Sequence, residues 1–347
     1  MKKLTIFVSL ILSVILVSCL KNEQAINNYK DTWRFVATTD SDTPSLMLVQ
    51  MPDDSIINND VFLTANGEAL SGKVERIVEF QNMLYLFIPS KFKIEVISKT
   101  DYKRVATIDF SSSGMEPSDI CFPNATTGYV SHGKDTAVSV VDITVFKIAR
   151  TIKVGVNPVS ITCSGNQIYV ANRGDNTISV LDSRDNTQKT TIPVPTAPSY
   201  IDMTSDGTKI VVISLGAGKL GGPEPKTAAL ASVIDTTSKT IERTVDMGYS
   251  TTSSIDQLPH GLTITGADWA YVPCQDNVLD FDARFGTQMF LAMPGNYFNV
   301  LYNPRRNELL MVQDNGSGDV LQVIDPEKGG ILSSYTFTNK VNLVLPQ

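Results

Sequence analysis

In six of seven occurrences, one position of a repeating pattern carries a small, polar or titratable side chain directly after a short apolar run. The seven residues are Thr38, Ile88, His132, Asn172, Ser214, Cys274 and Gln313, and the candidate ligand-binding residues among them are His132, Asn172, Cys274 and Gln313. Side chains of these types can donate or accept hydrogen bonds, and histidine and cysteine can also ligate a metal. Held around one central mouth, they would present convergent groups to a ligand. The alternative is that strand ends simply become polar where they meet water, and the sequence leaves both interpretations open.

A metal site is the sharpest chemistry that these residues suggest. His260, in the segment LPHG (258–261), opens a repeat unit and is expected to lie near Cys274. This pair lacks a visible third ligand, and no CxxC or Cys/His cluster with zinc spacing occurs. We therefore predict no metal site and no resident cofactor.

Enzymatic motifs are absent from the sequence. The chain contains no GxSxG, HExxH, Walker loop or glycine-rich dinucleotide fingerprint. An enzyme without these motifs remains an alternative, although a binding protein is favoured.

Two long loops extend the candidate surface. The insertion 214–229, SLGAGKLGGPEPKTAA, contains Lys219, and loops of this length in compact domains are usually functional or disordered. A second loop, 249–257, begins with Tyr249. Arg173 adds a fixed cation with several donors, suited to amide or phosphate groups on a ligand. The remaining candidate residues are Phe92, Tyr297 and Asn315.

The elements that must position these residues belong to a repeat of about forty residues. The segment IYVANRGDNTISVLD (168–182) nearly repeats GYVSHGKDTAVSVVD (128–142). Each unit holds four short runs of alternating apolar residues, which predict half-buried strands, separated by turn residues. Four antiparallel strands per forty residues are typical of a propeller blade. The units begin at equivalent anchors, which are Pro117, Pro158, Pro198, Pro259 and Phe298.

The two ends of the chain complete the count of blades. A sixth full unit begins near Lys73, and residues 33–67 supply only three strands, predicted as WRFVATT, SLMLVQM and VFLTA. The orphan C-terminal strand VNLVL (341–345) would be the fourth. We therefore predict an all-β, seven-bladed β-propeller of four-stranded antiparallel blades, closed by N- and C-terminal strands. In the last strand, Val341, Leu343 and Leu345 are expected to alternate inward, with Val344 on the opposite side.

The N-terminus has the anatomy of an export signal. A basic start precedes an apolar run from Leu4 to Val17, and Ser18-Cys19 follows. The segment LVSC (16–19) resembles the lipobox of bacterial lipoproteins, in which the cysteine is lipidated. An ordinary signal peptide with an incidental cysteine is the alternative. The resemblance implies a signal peptide at 1–18, a lipid-anchored tether at 19–32 and a propeller at 33–347.

The net charge limits the class of binding partners, and the cysteine count limits the disulfide bonding. Loss of Lys2 and Lys3 from the 29 basic residues leaves 27 against 36 acidic ones, a net charge of −9. So acidic a domain is a poor general binder of nucleic acid, whose phosphates demand basic surface. Besides Cys19, an odd number of cysteines remains, so at least one thiol stays free. These are Cys121, Cys163 and Cys274.

The repeated segments resemble the YVTN-type β-propeller repeat of secreted bacterial proteins. The resemblance spans roughly residues 73–337. It indicates the fold specifically but gives little information about function. With both the repeats and the lipobox, the chain is similar to propeller lipoproteins on the surface of gut Bacteroidetes, some of which capture cobalamin. This similarity implies an outer-membrane, surface-exposed lipoprotein that binds a small molecule, with a corrinoid as one candidate. It also implies that the protein passes this molecule to a TonB-dependent transporter. A protein–protein scaffold and a propeller enzyme remain alternatives.

Overall fold

The chain forms seven four-stranded antiparallel sheets arranged as the blades of a β-propeller. The computed structural model describes residues 33–41, 43–51, 55–217, 227–247, 259–274, 277–287, 293–316 and 318–346. The predicted fold class is confirmed. No helix in these ranges is long and apolar enough to cross a membrane.

The strands follow the predicted repeat blade by blade. Blade one contains β1 (Trp33–Thr39), β2 (Leu46–Met51) and β3 (Ser55–Asn58), together with β28 (Val341–Pro346). Blade two contains β4 (Arg76–Phe80), β5 (Met83–Ile88), β6 (Lys93–Ser98) and β7 (Arg104–Asp109). Blade three contains β8 (Pro117–Asn124), β9 (Thr127–His132), β10 (Ala137–Asp142) and β11 (Lys147–Lys153). Blade four contains β12 (Pro158–Ser164), β13 (Gln167–Asn172), β14 (Thr177–Asp182) and β15 (Thr187–Pro193).

The last three blades include the least regular one. Blade five contains β16 (Pro198–Met203), β17 (Lys209–Ser214), β18 (Leu230–Asp235) and β19 (Ile241–Asp246). Blade six contains β20 (Thr263–Ile264), β21 (Trp269–Pro273), β22 (Asn277–Asp282) and β23 (Met293–Pro294), so its first and last strands have two residues each. Blade seven contains β24 (Tyr297–Asn303), β25 (Glu308–Asp314), β26 (Asp319–Ile324) and β27 (Ile331–Thr336).

One predicted strand is wrong. The segment VFLTA lies in helix α1 (Val61–Asn66), and the outer strand of blade one is β3 instead. Asp60 caps the helix by accepting a hydrogen bond from the backbone N–H of Leu63, and Gly67 ends it with a left-handed backbone (φ 73°). Val61 and Phe62 are buried between blades one and two. A helix places these adjacent side chains on one buried side, which a strand could not do.

The C-terminal strand closes the ring as predicted. Strand β28 pairs with β1, and the order in blade one is β28-β1-β2-β3, which makes β28 the innermost strand. The expected simple alternation along β28 is wrong, because a register shift opposite Thr38 and Thr39 interrupts it. Val341 and Val344 consequently pack into the same cluster between blades one and seven. Leu345 contacts the cluster on the other side.

The repeated tyrosines hold neighbouring blades together. The rings of Tyr129, Tyr169 and Tyr271 are buried in the second strands of their blades. Each hydroxyl donates a hydrogen bond to the turn between the third and fourth strands of the next blade: Tyr129 to Asn186 Oδ1 (2.5 Å), Tyr169 to the Thr236 carbonyl (3.3 Å), Tyr271 to the Pro326 carbonyl (3.1 Å). Burial raises the pKa of all three hydroxyls to about 12. These residues therefore build blade interfaces.

Strand direction assigns the two faces of the ring. Innermost strands begin on the face where second strands end, because the two are antiparallel. In blade one β1 is the second strand, so Thr39 lies on that face and Trp33 lies on the opposite one. The loop after β17, where the insertion lies, belongs to the same face as Thr39.

Candidate functional site

The innermost strands surround a central cavity. It opens on the face where the second strands end, which is the face of Thr39 and of the loop after β17. It has two adjoining lobes, of about 440 Å³ and about 540 Å³. Four residues line both lobes and so join them: Glu75, Arg76, Ser160 and Tyr200. The lobes therefore form one polar cavity, the feature we describe as the central cavity.

The cavity wall is built from the start of each repeat. The two residues that follow the anchor proline line the cavity in blades four, five and six, at or shortly before the start of the innermost strand. In blade four these are Val159 and Ser160, and in blade five Ser199 and Tyr200, all of which line the first lobe. In blade six His260 and Gly261 line the second lobe. The repeat thus fixes the backbone and leaves these side chains free to vary.

Arg173, one of the candidate residues from the sequence, lines the first lobe. It follows β13 directly, is exposed, and makes no ion pair with any of the described residues. Its guanidinium and that of Arg76 lie close enough to Tyr200 to favour the phenolate electrostatically, yet burial dominates and raises the pKa of Tyr200. Tyr200 is therefore neutral at physiological pH, and its hydroxyl and Arg173 both offer donors to the cavity.

Two ion pairs lie at the first lobe beside Arg173. Lys134 Nζ lies 2.8 Å from Glu116 Oε2. Arg76 Nε lies 2.6 Å from Asp119 Oδ1, and that carboxylate is almost fully buried. The second oxygen of Asp119 accepts hydrogen bonds from Ser160 Oγ (2.9 Å) and the Ile161 N–H (3.2 Å) in the next blade. Asp119 thus fixes Arg76 and Ser160 on either side of the cavity.

The second lobe contains an unsatisfied amide. Asn299 Oδ1 is buried and has no hydrogen-bond partner within the described part of the chain. His260 is exposed at the same lobe, and the surrounding protein lowers the pKa of its ring, so it is neutral near pH 7. Phe298 supplies an aromatic surface. A ligand with a polar edge could satisfy Asn299 while its apolar part contacts Phe298.

Three predicted site residues lie inside the blades instead of at the mouth. His132, Asn172 and Cys274 are completely buried. His132 Nε2 lies 2.8 Å from Ser139 Oγ, and Asn172 Nδ2 donates to Ser179 Oγ at 2.9 Å. Arg173, one residue after Asn172, lines the first lobe.

Burial also decides the ionisation of these groups. Burial lowers the pKa of His132 to about 4, since a charged ring would lose its hydration. For Cys274 burial raises the thiol pKa to about 12. Both groups are neutral at physiological pH. Across the described ranges, no group of three or more His, Cys, Asp or Glu side chains is arranged to hold a metal ion.

The remaining predicted residues are dispersed. Tyr297 is buried and donates its hydroxyl to Gln322 Oε1 at 2.8 Å. Phe92 packs between blades two and three, and His260 is the second predicted residue, after Arg173, that lines the cavity. Gln313 lies near the end of β25 and Asn315 lies directly after that strand, and neither residue lines a lobe of the cavity. Lys219 and Tyr249 lie outside the described residues.

The base of the insertion borders the first lobe. Leu215 lines the cavity, and its N–H donates to the Ala197 carbonyl at 3.0 Å. Farther along, the Ala217 N–H donates to Thr227 Oγ1 (2.7 Å), and the Thr227 N–H returns a bond to the Ala217 carbonyl (2.8 Å). These bonds bring the two ends of the insertion together beside the cavity. Residues 218–226, which they enclose, lie outside the described part.

A smaller cavity of about 330 Å³ lies between blades six and seven, away from the central one. Trp269, Tyr271 and Asp280 line it. Asp280 Oδ1 is buried without a hydrogen-bond partner among the described residues, and burial raises the pKa of this carboxyl to about 6.

Sequence reasoning missed most of the cavity wall, including Glu75, Arg76, Ser160, Tyr200 and Asn299. A signal for the last three was present, since they fill the variable positions of the Pro-x-x-Ile pattern that marks the start of a unit. Variable residues at fixed positions in a repeat are those that packing does not dictate. The prediction concentrated on the ends of the second strands instead.

The fold and cavity together define a seven-bladed β-propeller with a polar central cavity. Solved propeller structures share this fold at low sequence identity. A structure of hydrazine synthase from Kuenenia stuttgartiensis is 18% identical, covers 74% of this chain and 77% of its own, and gives a TM-score of 0.61. The propeller domain of Cps50 (Swd1) from Myceliophteria thermophila is 10% identical, covers 77% and 88%, and gives 0.59.

A computationally designed protein, Ika8, extends the comparison. It is 11% identical, covers 89% of each chain, and gives a TM-score of 0.58. At such identities the likeness shows the fold alone. No protein-family model and no curated protein sequence matches the chain, so membership in the YVTN family stays a prediction.

Proposed function

We propose that this protein is a cell-envelope lipoprotein that captures a small-molecule ligand in the central cavity. The observation that carries the proposal is the presence of donors without protein partners at one cavity. The Arg173 guanidinium makes no ion pair and the Tyr200 hydroxyl no hydrogen bond with the described residues. Asn299 Oδ1 is an unsatisfied acceptor in the adjoining lobe. Buried polar groups are normally satisfied, so Asn299 Oδ1 favours a ligand that brings a donor. The more accessible Arg173 guanidinium and Tyr200 hydroxyl offer donors to acceptors on the same molecule.

The ligand that we favour is a corrinoid on its way to an outer-membrane transporter of the TonB-dependent type. Peripheral amides and a phosphate would suit the donors of Arg173 and Tyr200. The resemblance to surface propeller lipoproteins motivates the choice of corrinoid. The two lobes support it insofar as they offer separate polar and aromatic walls to one large ligand.

Binding is tested with the full chain carrying Cys19→Ala, which removes the lipidation site. Cyanocobalamin, haem and calcium are screened by thermal shift, since a ligand that binds the folded state raises the melting temperature. We expect cyanocobalamin to stabilise the protein, and calorimetry then gives the dissociation constant. A screen in which none of the three raises the melting temperature would contradict the ligand that we favour.

Two variants locate the site once binding is measured. Arg173→Ala should weaken binding at least about tenfold, which corresponds to about 1.4 kcal/mol. Arg243→Ala is the matched control, because Arg243 is exposed on the outermost strand of blade five, far from the cavity wall. Equal affinity of both variants and the unchanged protein would place the ligand elsewhere.

The lipid anchor is tested separately. The unchanged chain, expressed with its N-terminal segment in a bacterium, should mature to a lipidated Cys19 that fractionates with the outer membrane. Accessibility of the protein on intact cells tests its surface exposure. Intact mass that shows a different mature N-terminus would refute the anchor while leaving the ligand proposal intact.

A protein–protein scaffold is the second candidate. Apolar side chains are exposed on the outer strands and loops, with Phe285 the most exposed of them at 65%. Within the described ranges these side chains lie on different blades, so they do not define one docking patch. We therefore favour the cavity over the rim.

A further inference from the structure

Two cysteines meet at the interface between blades three and four. Cys121 lies on β8 and Cys163 on β12, the innermost strands of these blades. Both belong to the same cluster of apolar side chains. The Cys163 side chain packs against the cluster that contains Cys121. Burial above all, and the neighbouring Cys163 thiol to a lesser extent, raise the pKa of the Cys121 thiol. Both thiols are free in the structure.

The register of the two strands explains the contact. Asp119 bridges the same pair of strands, since its carboxylate accepts hydrogen bonds from Ser160 Oγ and the Ile161 N–H. Cys121 and Cys163 lie two residues farther along than Asp119 and Ile161, respectively. Residues two apart in a strand point to the same side, so the cysteines continue the bridge that Asp119 begins.

Exposure gives the two thiols different roles. Cys121 is only 7% exposed, whereas Cys163 is partly exposed. An incoming oxidant can therefore reach Cys163 first, and Cys121 is positioned to attack next. A disulfide requires the two side chains to approach face to face, with Cβ atoms about 4 Å apart. Contact between the side chains of neighbouring strands is compatible with that requirement.

We propose that Cys121 and Cys163 form a disulfide bond that joins the innermost strands of blades three and four when the exported protein meets a disulfide oxidant. The Cys163 thiolate attacks the oxidant, forms a mixed disulfide and displaces one thiolate. The Cys121 thiolate then attacks the sulfur of Cys163 and displaces the second. One disulfide is reduced to two thiols, the two protein thiols become one disulfide, and their protons pass to the released thiolates.

Such a bond would act on the cavity wall. Ser118 and Ser160 lie on the same two strands as the cysteines and line the first lobe. Cross-linking β8 to β12 would fix the spacing of this part of the wall. Cys274, by contrast, is completely buried in blade six and would remain the free thiol that an odd count demands. The inference does not depend on the identity of the ligand.

The test uses the full chain with Cys19→Ser, purified under reducing conditions and then equilibrated with oxidised glutathione. Thiols are counted after denaturation in acid-quenched samples, and peptides are mapped without reduction. We expect the count to fall from three to one and a Cys121–Cys163 peptide to appear. A count that remains at three, or a product that stops at glutathione on Cys163, would overturn the proposal.

Three single variants assign the chemistry. Cys274→Ser should lose two thiols on oxidation, as the parent does. Cys121→Ser should stop at one glutathione on Cys163, because the second nucleophile is missing. Cys163→Ser should keep both of its remaining thiols, since Cys121 and Cys274 are buried. Loss of two thiols in Cys163→Ser would show that a different pair is oxidised and would contradict the assignment.

Discussion

Blades three and four differ from blades six and seven in how they use buried acids. At the first interface Asp119 contacts Arg76 and Ser160 and accepts two backbone N–H groups, from Ile120 and Ile161. At the second, Asp280 Oδ1 is buried beside a cavity of about 330 Å³ and has no hydrogen-bond partner among the described residues. The two acids lie at different repeat positions, since Asp119 is on an innermost strand and Asp280 is on a third strand. A buried acid on an innermost strand lies beside the next innermost strand and can bond its backbone, whereas Asp280 Oδ1 has no such donor among the described residues.

The largest effect on stability is expected at Asp119, whose two carboxylate oxygens both have partners. Asp119→Ala would leave Arg76, Ser160 Oγ and the Ile161 N–H without their acceptor at a buried interface. We expect a loss of about 3 kcal/mol in the free energy of unfolding, since buried groups stripped of a charged partner pay their full desolvation cost. Urea denaturation at pH 7 measures it. A loss below about 1 kcal/mol would show that water replaces the carboxylate without difficulty.

His132, in blade three, makes the stability of the folded protein sensitive to acid. Its pKa of about 4 in the folded protein is below the ordinary 6.5, so the unfolded chain binds a proton first as the pH falls. This contribution to stability is complete above pH 6.5 and is lost progressively between pH 6.5 and 4, by about 3 kcal/mol.

The matched variant is His132→Asn, which gives blade three the residue that blade four has at the same position. Asn172 shows that an asparagine here can bond the serine seven residues later. We expect the variant to be about 1–2 kcal/mol less stable at pH 7, where the larger ring packs better against Phe110. At pH 4 the order should reverse. Parallel pH profiles of the two proteins would contradict the role of His132.

The unsatisfied acid should respond in the opposite direction. Burial raises the pKa of Asp280 to about 6, so the folded protein favours the protonated form and loses stability as the pH rises from about 4 to 6. Asp280→Asn removes the charge, and we expect a gain of about 1–2 kcal/mol at pH 7 that disappears near pH 4. Thermal melts at both values check this. Destabilisation at pH 7 would indicate that Asp280 has a charged partner in solution.

The smallest effect concerns the tyrosine bonds that both interfaces share. Tyr129→Phe and Tyr271→Phe each remove one hydroxyl that bonds the next blade. A single neutral hydrogen bond contributes about 1 kcal/mol, so the two variants should be destabilised about equally. Urea denaturation of both variants provides the comparison. A clearly larger loss for either would show that the tyrosine contributes differently at the two interfaces.

The sequence predicted the blades well because packing dictates them. The anchor prolines, the alternating runs and the lone last strand all reflect residues that must be buried or must turn. Helix α1 was missed because VFLTA has the composition of a strand, although Asp60 and Gly67 are helix start and stop signals. The short capped helix was outweighed by the expectation of a regular repeat.

The cavity was harder to predict for a physical reason. In a propeller both faces of a second strand are covered by neighbouring blades, so its last residue remains inside, as His132 and Asn172 do. The wall is instead formed by residues at the start of the innermost strands and, in blades two to five, by the residue that follows the second strand. Arg173 lies directly after a second strand. Tyr200 and Asn299 lie near the start of innermost strands, so a prediction made from the ends of second strands did not include them.

The direction of β1 has a consequence for how the molecule would stand on a cell. Trp33 lies on the face opposite the central cavity, so a tether at 19–32 would leave from beneath the ring. Fourteen residues extended at about 3.4 Å each reach about 48 Å at most. With Cys19 held in a leaflet, the cavity would point away from the lipid and towards the medium. A cysteine placed at Lys134 and labelled on intact cells would test this orientation, and a label that enters only after lysis would contradict it.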